Sequence, residues 1–285
     1  MKVLVPVDGS KSSMQSVHAA LDFTKKAEAG VCLLTVVRPI VDFDYELSAS
    51  QREAVMKTLM QHAEEVIEKA KEVFVAGGVN PYCVIKTNAN SVADEICDLV
   101  EKEKFDLVIM GRKGLKRTER AIMGSVTSRV IKCSPANVLV MPSDAVLKWR
   151  RILLAVDDSK CGEVAAQVAL DMASAFGQEL KVISVVDMPE ETYSVIPNAI
   201  AKLVDSARSV ADSVKSRAEA LNIKTDIYIK EGDTAWIITD FAEKENVDLI
   251  CIGSYGKTGP NRFTVGSVAE KIIGGALCPI LVVKC

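Results

Sequence analysis

Residues 105–114 read FDLVIMGRKG, and residues 247–256 read VDLICIGSYG, at an offset of 142. Another matched pair lies upstream of these, where residues 2–10 read KVLVPVDGS and residues 151–159 read RILLAVDDS, at an offset of 149. Matches at a nearly constant offset along a chain indicate an internal repeat. We therefore predict two copies of one domain, residues 1–144 and residues 150–285. The second copy is seven residues shorter, and we place the loss between its second and third strands.

Short apolar runs alternate with helical patterns along each copy. In the first copy, strands are predicted at residues 3–7, 32–37, 82–86, 107–110 and 138–141, and helices at residues 14–29, 48–76 and 125–132, with another that opens at Ser91. The strand runs are almost entirely apolar, as expected for strands covered on both faces. Each domain is therefore expected to be an α/β fold with a five-stranded, parallel, doubly wound, Rossmann-like sheet, and Gly30 is expected to end the first helix.

The composition is that of an ordinary globular protein, with 49% hydrophobic and 26% charged residues. A formal net charge of −3 argues against attraction of the whole protein to nucleic acid or anionic lipid. No apolar run approaches the ~20 residues of a membrane-spanning helix, and Pro6 interrupts the first short run, so we expect a cytoplasmic protein with no membrane partner. The eight cysteines include no Cys-x-x-Cys pair, so we expect reduced cysteines and neither a metal site nor a redox cluster.

A glycine motif with identical spacing, Gly-x2-Gly-x9-Gly-Ser, follows the fourth predicted strand of both copies. Its members are Gly111, Gly114, Gly124 and Ser125 in the first copy and Gly253, Gly256, Gly266 and Ser267 in the second. The first glycine is expected to let the chain turn off the strand and to let a ligand approach the backbone. The Gly-Ser pair is expected to open a helix whose free N–H groups and positive dipole end suit a phosphate.

An aspartate follows the first predicted strand of each copy, Asp8 in the first and Asp157 in the second. In open α/β sheets, ligands bind beyond the carboxyl ends of the strands, where the strand order reverses. A carboxylate at this place accepts hydrogen bonds from ribose hydroxyls and repels phosphate. We therefore expect both aspartates to face the sugar end of a nucleotide.

These features together resemble the universal stress proteins in their tandem-domain form, and the likeness covers nearly the whole chain. The most specific element is the glycine motif of the family's ATP-binding branch. The resemblance implies an adenine nucleotide alpha hydrolase-like fold, ATP or another adenine nucleotide in each domain, and Mg²⁺ carried by the phosphates rather than by a protein metal site. It also implies that Asp8 and Asp157 contact adenosine, that the backbones of Val36 and Val185 contact adenine, and that the motif residues contact ribose and phosphates. The motif serines are followed by Val126 and Val268, which we include in the expected sites.

Basic residues cluster around the first copy's motif, at Arg112, Lys113, Lys116, Arg117 and Arg120. Such side chains make strong charge-assisted hydrogen bonds to phosphate. Arg120 aligns with Arg262 of the second copy, so these two are the predicted phosphate partners, with a solvated loop as the alternative. The interleaved aromatic residues of a stacking surface are absent, so no nucleic acid partner is expected.

Four further residues are predicted to be structural: His18, His62, Trp149 and Trp236. The sequence Gly256-Lys257-Thr258 resembles the end of a P-loop, but Cys251 stands where that motif requires glycine. Asp158 extends Asp157 into a carboxylate pair, but its counterpart in the first copy is Gly9, so the two copies cannot share chemistry that needs this pair.

The sequence therefore predicts a tandem nucleotide-binding, stress-response protein whose ligand shifts a balance between conformational or assembly states. No general base is evident, so enzymatic activity is not expected. A slow ATPase and a nucleotide-free scaffold that acts through protein contacts are the alternatives. The resemblance also implies that the fifth strands, residues 138–141 and 280–283, pair within one chain as a pseudo-dimer, and that two chains can associate as a homodimer.

Overall fold

A computed structural model of the chain describes residues 1–38, 48–87, 91–114, 123–187, 197–256 and 265–285. These residues fall into two compact units that divide between Ser143 and Asp144. Each unit has the same order of helices and strands.

The first unit is a parallel sheet of five strands with order β3-β2-β1-β4-β5. Its elements are β1 (Lys2–Pro6), α1 (Lys11–Ala27), β2 (Gly30–Val37), α2 (Ala49–Ala76), β3 (Tyr82–Thr87), α3 (Val92–Glu103), β4 (Leu107–Gly111), α4 (Ser125–Cys133) and β5 (Asn137–Met141).

The second unit repeats this arrangement with strand order β8-β7-β6-β9-β10, again parallel. Its elements are β6 (Arg151–Ala155), α5 (Lys160–Phe176), β7 (Glu179–Val186), α6 (Pro197–Ala220), β8 (Thr225–Glu231), α7 (Thr234–Lys244), β9 (Leu249–Gly253), α8 (Ser267–Gly275) and β10 (Ile280–Val283). The predicted fold of two tandem, five-stranded α/β domains is confirmed.

The central strands are buried on both faces. Val3, Leu4 and Val5 are successive residues of β1 whose side chains alternate between the two faces of the sheet, and all three are 0% exposed. Burial of each such side chain contributes about 1.5–3 kcal/mol relative to exposure, which explains why these strands are apolar throughout. Leu153 and Leu154 occupy the same positions in β6 and are also fully buried.

Serine side chains cap α1, α3 and α5, three of the helices that begin at the carboxyl edge of the sheets. The Ser10 and Ser159 hydroxyls accept the N–H groups of Ser13 and Gly162 at 3.2 and 3.0 Å. Ser91 accepts the N–H of Asp94 at 3.4 Å, so the predicted capping residue of α3 is confirmed. Each cap satisfies an N–H group that the helix leaves unpaired, for about 1 kcal/mol.

The boundaries of the first helix differ from the prediction. The helix α1 begins at Lys11, three residues early, because Ser10 caps it. Its last residue is Ala27, and the capping residue Glu28 adopts the left-handed conformation with φ of 49°. Gly30 therefore does not end the helix and is the first residue of β2.

The seven residues missing from the second copy are lost in two places rather than one. The last register pair of β2 and β3 is Val37 with Thr87, and the equivalent pair is Val186 with Glu231. Five residues are therefore lost between the second and third strands. The other two are lost after the third strand, before the helix α7.

Two pairs of cysteines form disulfides, Cys97 with Cys133 in the first unit and Cys161 with Cys285 in the second. The prediction of reduced cysteines is wrong for these four. The partners are 36 and 124 residues apart in sequence, so local spacing does not reveal them. The free cysteines are Cys32, Cys83, Cys251 and Cys278, and complete burial raises the pKa of the Cys251 thiol to about 12.

One predicted packing tryptophan is buried and the other is not. Trp149 is 7% exposed and makes an edge contact with Phe176 at 5.0 Å between ring centroids. Trp236, on the outside of α7, is 64% exposed, so its prediction is wrong. In the described part of the chain, none of the helices combines the length and hydropathy needed to cross a bilayer.

Candidate nucleotide sites

Each unit has a cavity at the carboxyl ends of its strands. The first has a volume of about 640 Å³, lies beside β1, β2 and β4, and is lined by side chains of α2 and α3 and by the start of α4. The second has a volume of about 580 Å³ and equivalent walls. Both volumes fall within the ~300–1,000 Å³ range of small-molecule sites. Both cavities lie where the chain order of the strands reverses, as predicted.

The first-strand aspartate lies directly against the second motif glycine in both units. A Cβ atom placed on Gly114 would be 2.6 Å from Oδ2 of Asp8, and one placed on Gly256 would be 2.7 Å from Oδ2 of Asp157. The other carboxylate oxygen is held locally, because Oδ1 of Asp8 accepts the N–H of Ser10 at 3.0 Å. The structure thus brings the aspartate and the glycine together at the edge of the cavity, and a side chain at the glycine would displace the carboxylate.

The first motif glycine is required by helix packing and not by a turn. A Cβ on Gly111 would overlap the hydroxyl of Ser12 in the first turn of α1, and one on Gly253 would lie 2.9 Å from Cβ of Cys161 in α5. Neither glycine is among the described residues with positive φ. The prediction that these two glycines allow a sharp turn is therefore wrong. They are needed because α1 and α5 contact the ends of β4 and β9 too closely to leave room for a side chain.

The third motif glycine closes the motif loop at its base and begins a helix. Gly124 donates its N–H to the carbonyl of Arg112 at 2.9 Å, and Gly266 donates to the carbonyl of Ser254 at the same distance. The N–H group of each glycine is therefore already hydrogen-bonded to a backbone carbonyl. The sequence had predicted that this N–H group would be free to bind a ligand. Neither Gly124 nor Gly266 gives its helix a side-chain cap, so the positive ends of α4 and α8 point at the cavities without a local acceptor from that position.

The residues that begin these helices line the cavities. Ser125 and Val126 line the first, and Ser267 and Val268 line the second. Both serines are exposed. They are therefore positioned to meet a ligand at the helix N-terminus.

The second-strand valines present their backbones to the cavities. The last register pair of β1 and β2 is Pro6 with Leu34, whose carbonyl accepts the N–H of Val7 at 2.8 Å. Alternate residues of a strand direct their backbone polar groups to the same side, so Val36 directs its N–H and C=O beyond the end of β1. In the second unit Val156 donates to the carbonyl of Ile183 at 3.0 Å, which places Val185 in the same way.

Only two of the predicted basic residues are among those that the structure describes. Arg112 and Lys113 are buried, at 7% and 9% exposure, and Lys113 lines the first cavity. The predicted phosphate partners Arg120 and Arg262, together with Lys116 and Arg117, lie outside the described residues.

Sequence reasoning missed several cavity residues. His62, predicted to be structural, lines the first cavity with Leu59 on the inner face of α2. Arg38 lines the same cavity at the end of β2, and Asp187 lines the second cavity at the end of β7. The positions of Arg38 and Asp187 could have revealed them, because each follows the second-strand valine of its copy by two residues.

Comparison with known proteins identifies the family. The sequence model described as "Universal stress protein family" matches residues 1–142 and again residues 148–284. The chain belongs to the universal stress protein family. It is a tandem member, since the two matches together span almost all of its length.

Some relatives match one domain of this universal stress protein, and others match the whole tandem chain. Universal stress protein MJ0531 of Methanocaldococcus jannaschii is 36% identical over 143 residues, which are 48% of this chain and 82% of that protein. A universal stress protein of Mycolicibacterium smegmatis is 24% identical over 294 residues, which cover 99% of this chain and 96% of that protein. A crystal structure of a universal stress protein from Archaeoglobus fulgidus has a TM-score of 0.75 at 22% identity and covers 99% of this chain and 96% of its own, which supports the fold.

The cavities of this universal stress protein share one set of polar groups. A carboxylate that can accept ribose hydroxyls, a strand-end backbone and an uncapped helix N-terminus are arranged around each cavity. Among the described residues, no group of three or more His, Cys, Asp or Glu side chains is arranged to hold a metal ion.

Proposed function

We propose that each domain of this universal stress protein binds one adenine nucleotide, and that the bound ligand shifts the protein between conformational or assembly states. The observation that carries the proposal is the repetition of one geometry. Both cavities combine the aspartate–glycine contact, the strand-end valine and the open helix N-terminus. Two copies that differ at many other positions keep these three features.

The three features correspond to the three parts of a nucleotide. The Val36 backbone offers one donor and one acceptor to the edge of a base, Asp8 accepts from ribose hydroxyls, and the start of α4 takes phosphates. Mg²⁺ would be carried by the phosphates. A ligand that binds one state of the protein better than another shifts the balance by its differential affinity.

The first experiment is calorimetric titration of the whole chain with ATP and with adenosine, using Asp8→Ala and Asp106→Ala as a matched pair. Each aspartate accepts one backbone N–H, from Ser10 at 3.0 Å and from Lys2 at 2.7 Å, and only Asp8 lines a cavity. We expect Asp8→Ala to lose about tenfold in affinity for both ligands at one site, as expected for a lost hydrogen bond to a charged group. We expect Asp106→Ala to bind as the wild type does.

A second measurement addresses the scaffold alternative. Mass spectrometry of gently denatured, purified protein detects any adenine nucleotide that co-purifies. If none co-purifies and none binds at millimolar concentration, the protein acts without nucleotide and the proposed function is wrong.

A further inference from the structure

We propose that the two cavities select ligands of different charge: the first prefers a nucleoside polyphosphate, and the second prefers a nucleoside monophosphate. This inference rests on the proposed function and assigns a ligand class to each site. It comes from the residues that differ between the two cavities rather than from those that they share.

The largest difference lies at the end of the second strand. Arg38 and Asp187 occupy equivalent positions, two residues after Val36 and Val185, and both side chains are exposed and line their cavities. The Asp187 carboxylate accepts a hydrogen bond from Oγ1 of Thr234 at 3.4 Å, at the start of α7. One position at the cavity edge therefore carries a positive charge in the first domain and a negative charge in the second.

Two more positions change in the same direction. Lys113 of the first motif corresponds to Tyr255 of the second, and both line their cavities. Gly9 corresponds to Asp158, which lines the second cavity. Among the described lining residues, the first cavity thus has two cations and one carboxylate, and the second has three carboxylates and no cation.

The neighbouring charges do not remove this contrast. On the adjacent third strand, Lys86 pairs in register with Val36 and Lys230 with Val185, so this position is basic in both domains. In the sequence, segments 115–122 and 257–264 have equal net charge, and segment 39–47 has one acidic residue more than segment 188–196. By sequence count these segments differ between the copies by one charge, whereas the described linings of the two cavities differ by four.

The electrostatic consequence depends on the ligand. Three carboxylates around a cavity repel each phosphate of a triphosphate, whereas they exert no net Coulomb force on an uncharged nucleoside. Two cations in the first cavity attract the same phosphates and add to the open end of α4. The shared Asp8 and Asp157 serve the ribose in both domains, so both cavities keep their affinity for the nucleoside part.

The test is titration of the whole chain with ATP and with adenosine, in the wild type and in Arg38→Asp and Asp187→Arg. Both positions are exposed, so neither change opens the core. For ATP, we expect two unequal sites, with the tighter one weakened about tenfold by Asp8→Ala. Reversing one charge at about 10 Å from the phosphates changes ATP affinity about fivefold after screening: Arg38→Asp weakens the tight site and Asp187→Arg strengthens the weak one. The affinity for adenosine stays within about twofold of wild type, because adenosine has no net charge that could interact with the substituted side chain.

The neutral variants Arg38→Gln and Asp187→Asn provide a graded control, with about half of each effect on a logarithmic scale. High salt should reduce the difference in ATP affinity between the sites and leave adenosine binding unchanged. If both sites show the same ratio of ATP affinity to adenosine affinity, and no charge variant alters that ratio, the inference is overturned while the proposed function stands. If neither ligand binds at all, the proposed function fails and the inference fails with it.

Discussion

The start of α4 provides the most specific prediction about phosphate binding. Ser125 is the first residue of this helix, is exposed and lines the first cavity. The first turn of α4 contains no acidic residue, and the capping position, Gly124, has no side chain to offer. In Ser125→Asp, the new carboxylate interacts favourably with the helix dipole, for about 0.3–1 kcal/mol, so the fold should not be destabilised.

The same carboxylate would oppose a phosphate bound at this helix. At about 6 Å and the dielectric constant of water, each pair of unit charges repels by about 0.7 kcal/mol, so a phosphate with two charges loses about 1.4 kcal/mol. We therefore expect about a tenfold loss of ATP affinity at the first site, with adenosine affinity unchanged. Calorimetric titration measures both affinities, and urea unfolding measures stability.

Ser125→Asn is the matched control, because asparagine has the size of aspartate without its charge. It should bind ATP within about twofold of wild type, since no charge repels the phosphate. ATP affinity in Ser125→Asp that equals that in Ser125→Asn would refute the placement of phosphate at α4. Equal losses for ATP and adenosine would refute it too, since they indicate steric damage.

Three further predictions concern the glycine contact, the cysteines and a half-buried lysine. Gly114→Ala should weaken adenosine binding several-fold by displacing Asp8, whereas Gly30→Ala, where a Cβ has no neighbour closer than 4.0 Å, should not; equal affinity in both variants contradicts the contact's role. Protein purified without reductant should show four reactive thiols per denatured chain, and eight after reduction; eight from the start would exclude the two disulfides. Burial lowers the pKa of Lys284 to about 8, so the folded state binds fewer protons than the unfolded state between about pH 8 and 10.5, and stability from this group rises with pH there. Lys284→Met should therefore be more stable than wild type at pH 7, with an advantage that shrinks towards pH 10; an advantage independent of pH in urea unfolding would show that ionisation is not its cause.

The fold was predictable because its signals are local and occur twice. Short apolar runs rich in β-branched residues are typical of strands buried on both faces, and helical patterns between them favour a parallel sheet. The family resemblance and the tandem organisation follow from the same repeat. The end of α1 was misjudged because Glu28 takes the left-handed conformation and caps the helix, whereas the sequence pointed to Gly30 as the residue that ends it.

Only part of the candidate site could be predicted from the sequence, namely the positions at which a particular residue type is required for a clear physical reason. Asp8 and the motif glycines were found from sequence, but the contact between Asp8 and Gly114 joins residues over a hundred positions apart and needs the folded sheet. His62 was predicted to be structural because a helix position in phase with apolar residues usually faces the core. In this fold the inner face of α2 continues past the core and lines the cavity.

The cysteine pairs were missed for a related reason. Sequence spacing indicates metal or redox sites only when the ligands are close in the chain. Cys161 and Cys285 meet because the start of α5 and the end of the chain both lie at the carboxyl edge of the second sheet.

A crystal structure of the protein grown with ATP tests the central claim most directly. We predict adenine against the Val36 backbone, ribose hydroxyls on Asp8 and phosphates at the N-terminus of α4 in the first cavity. Density for ATP only elsewhere on the protein, or a first cavity filled by side chains in the presence of excess ATP, would contradict the account.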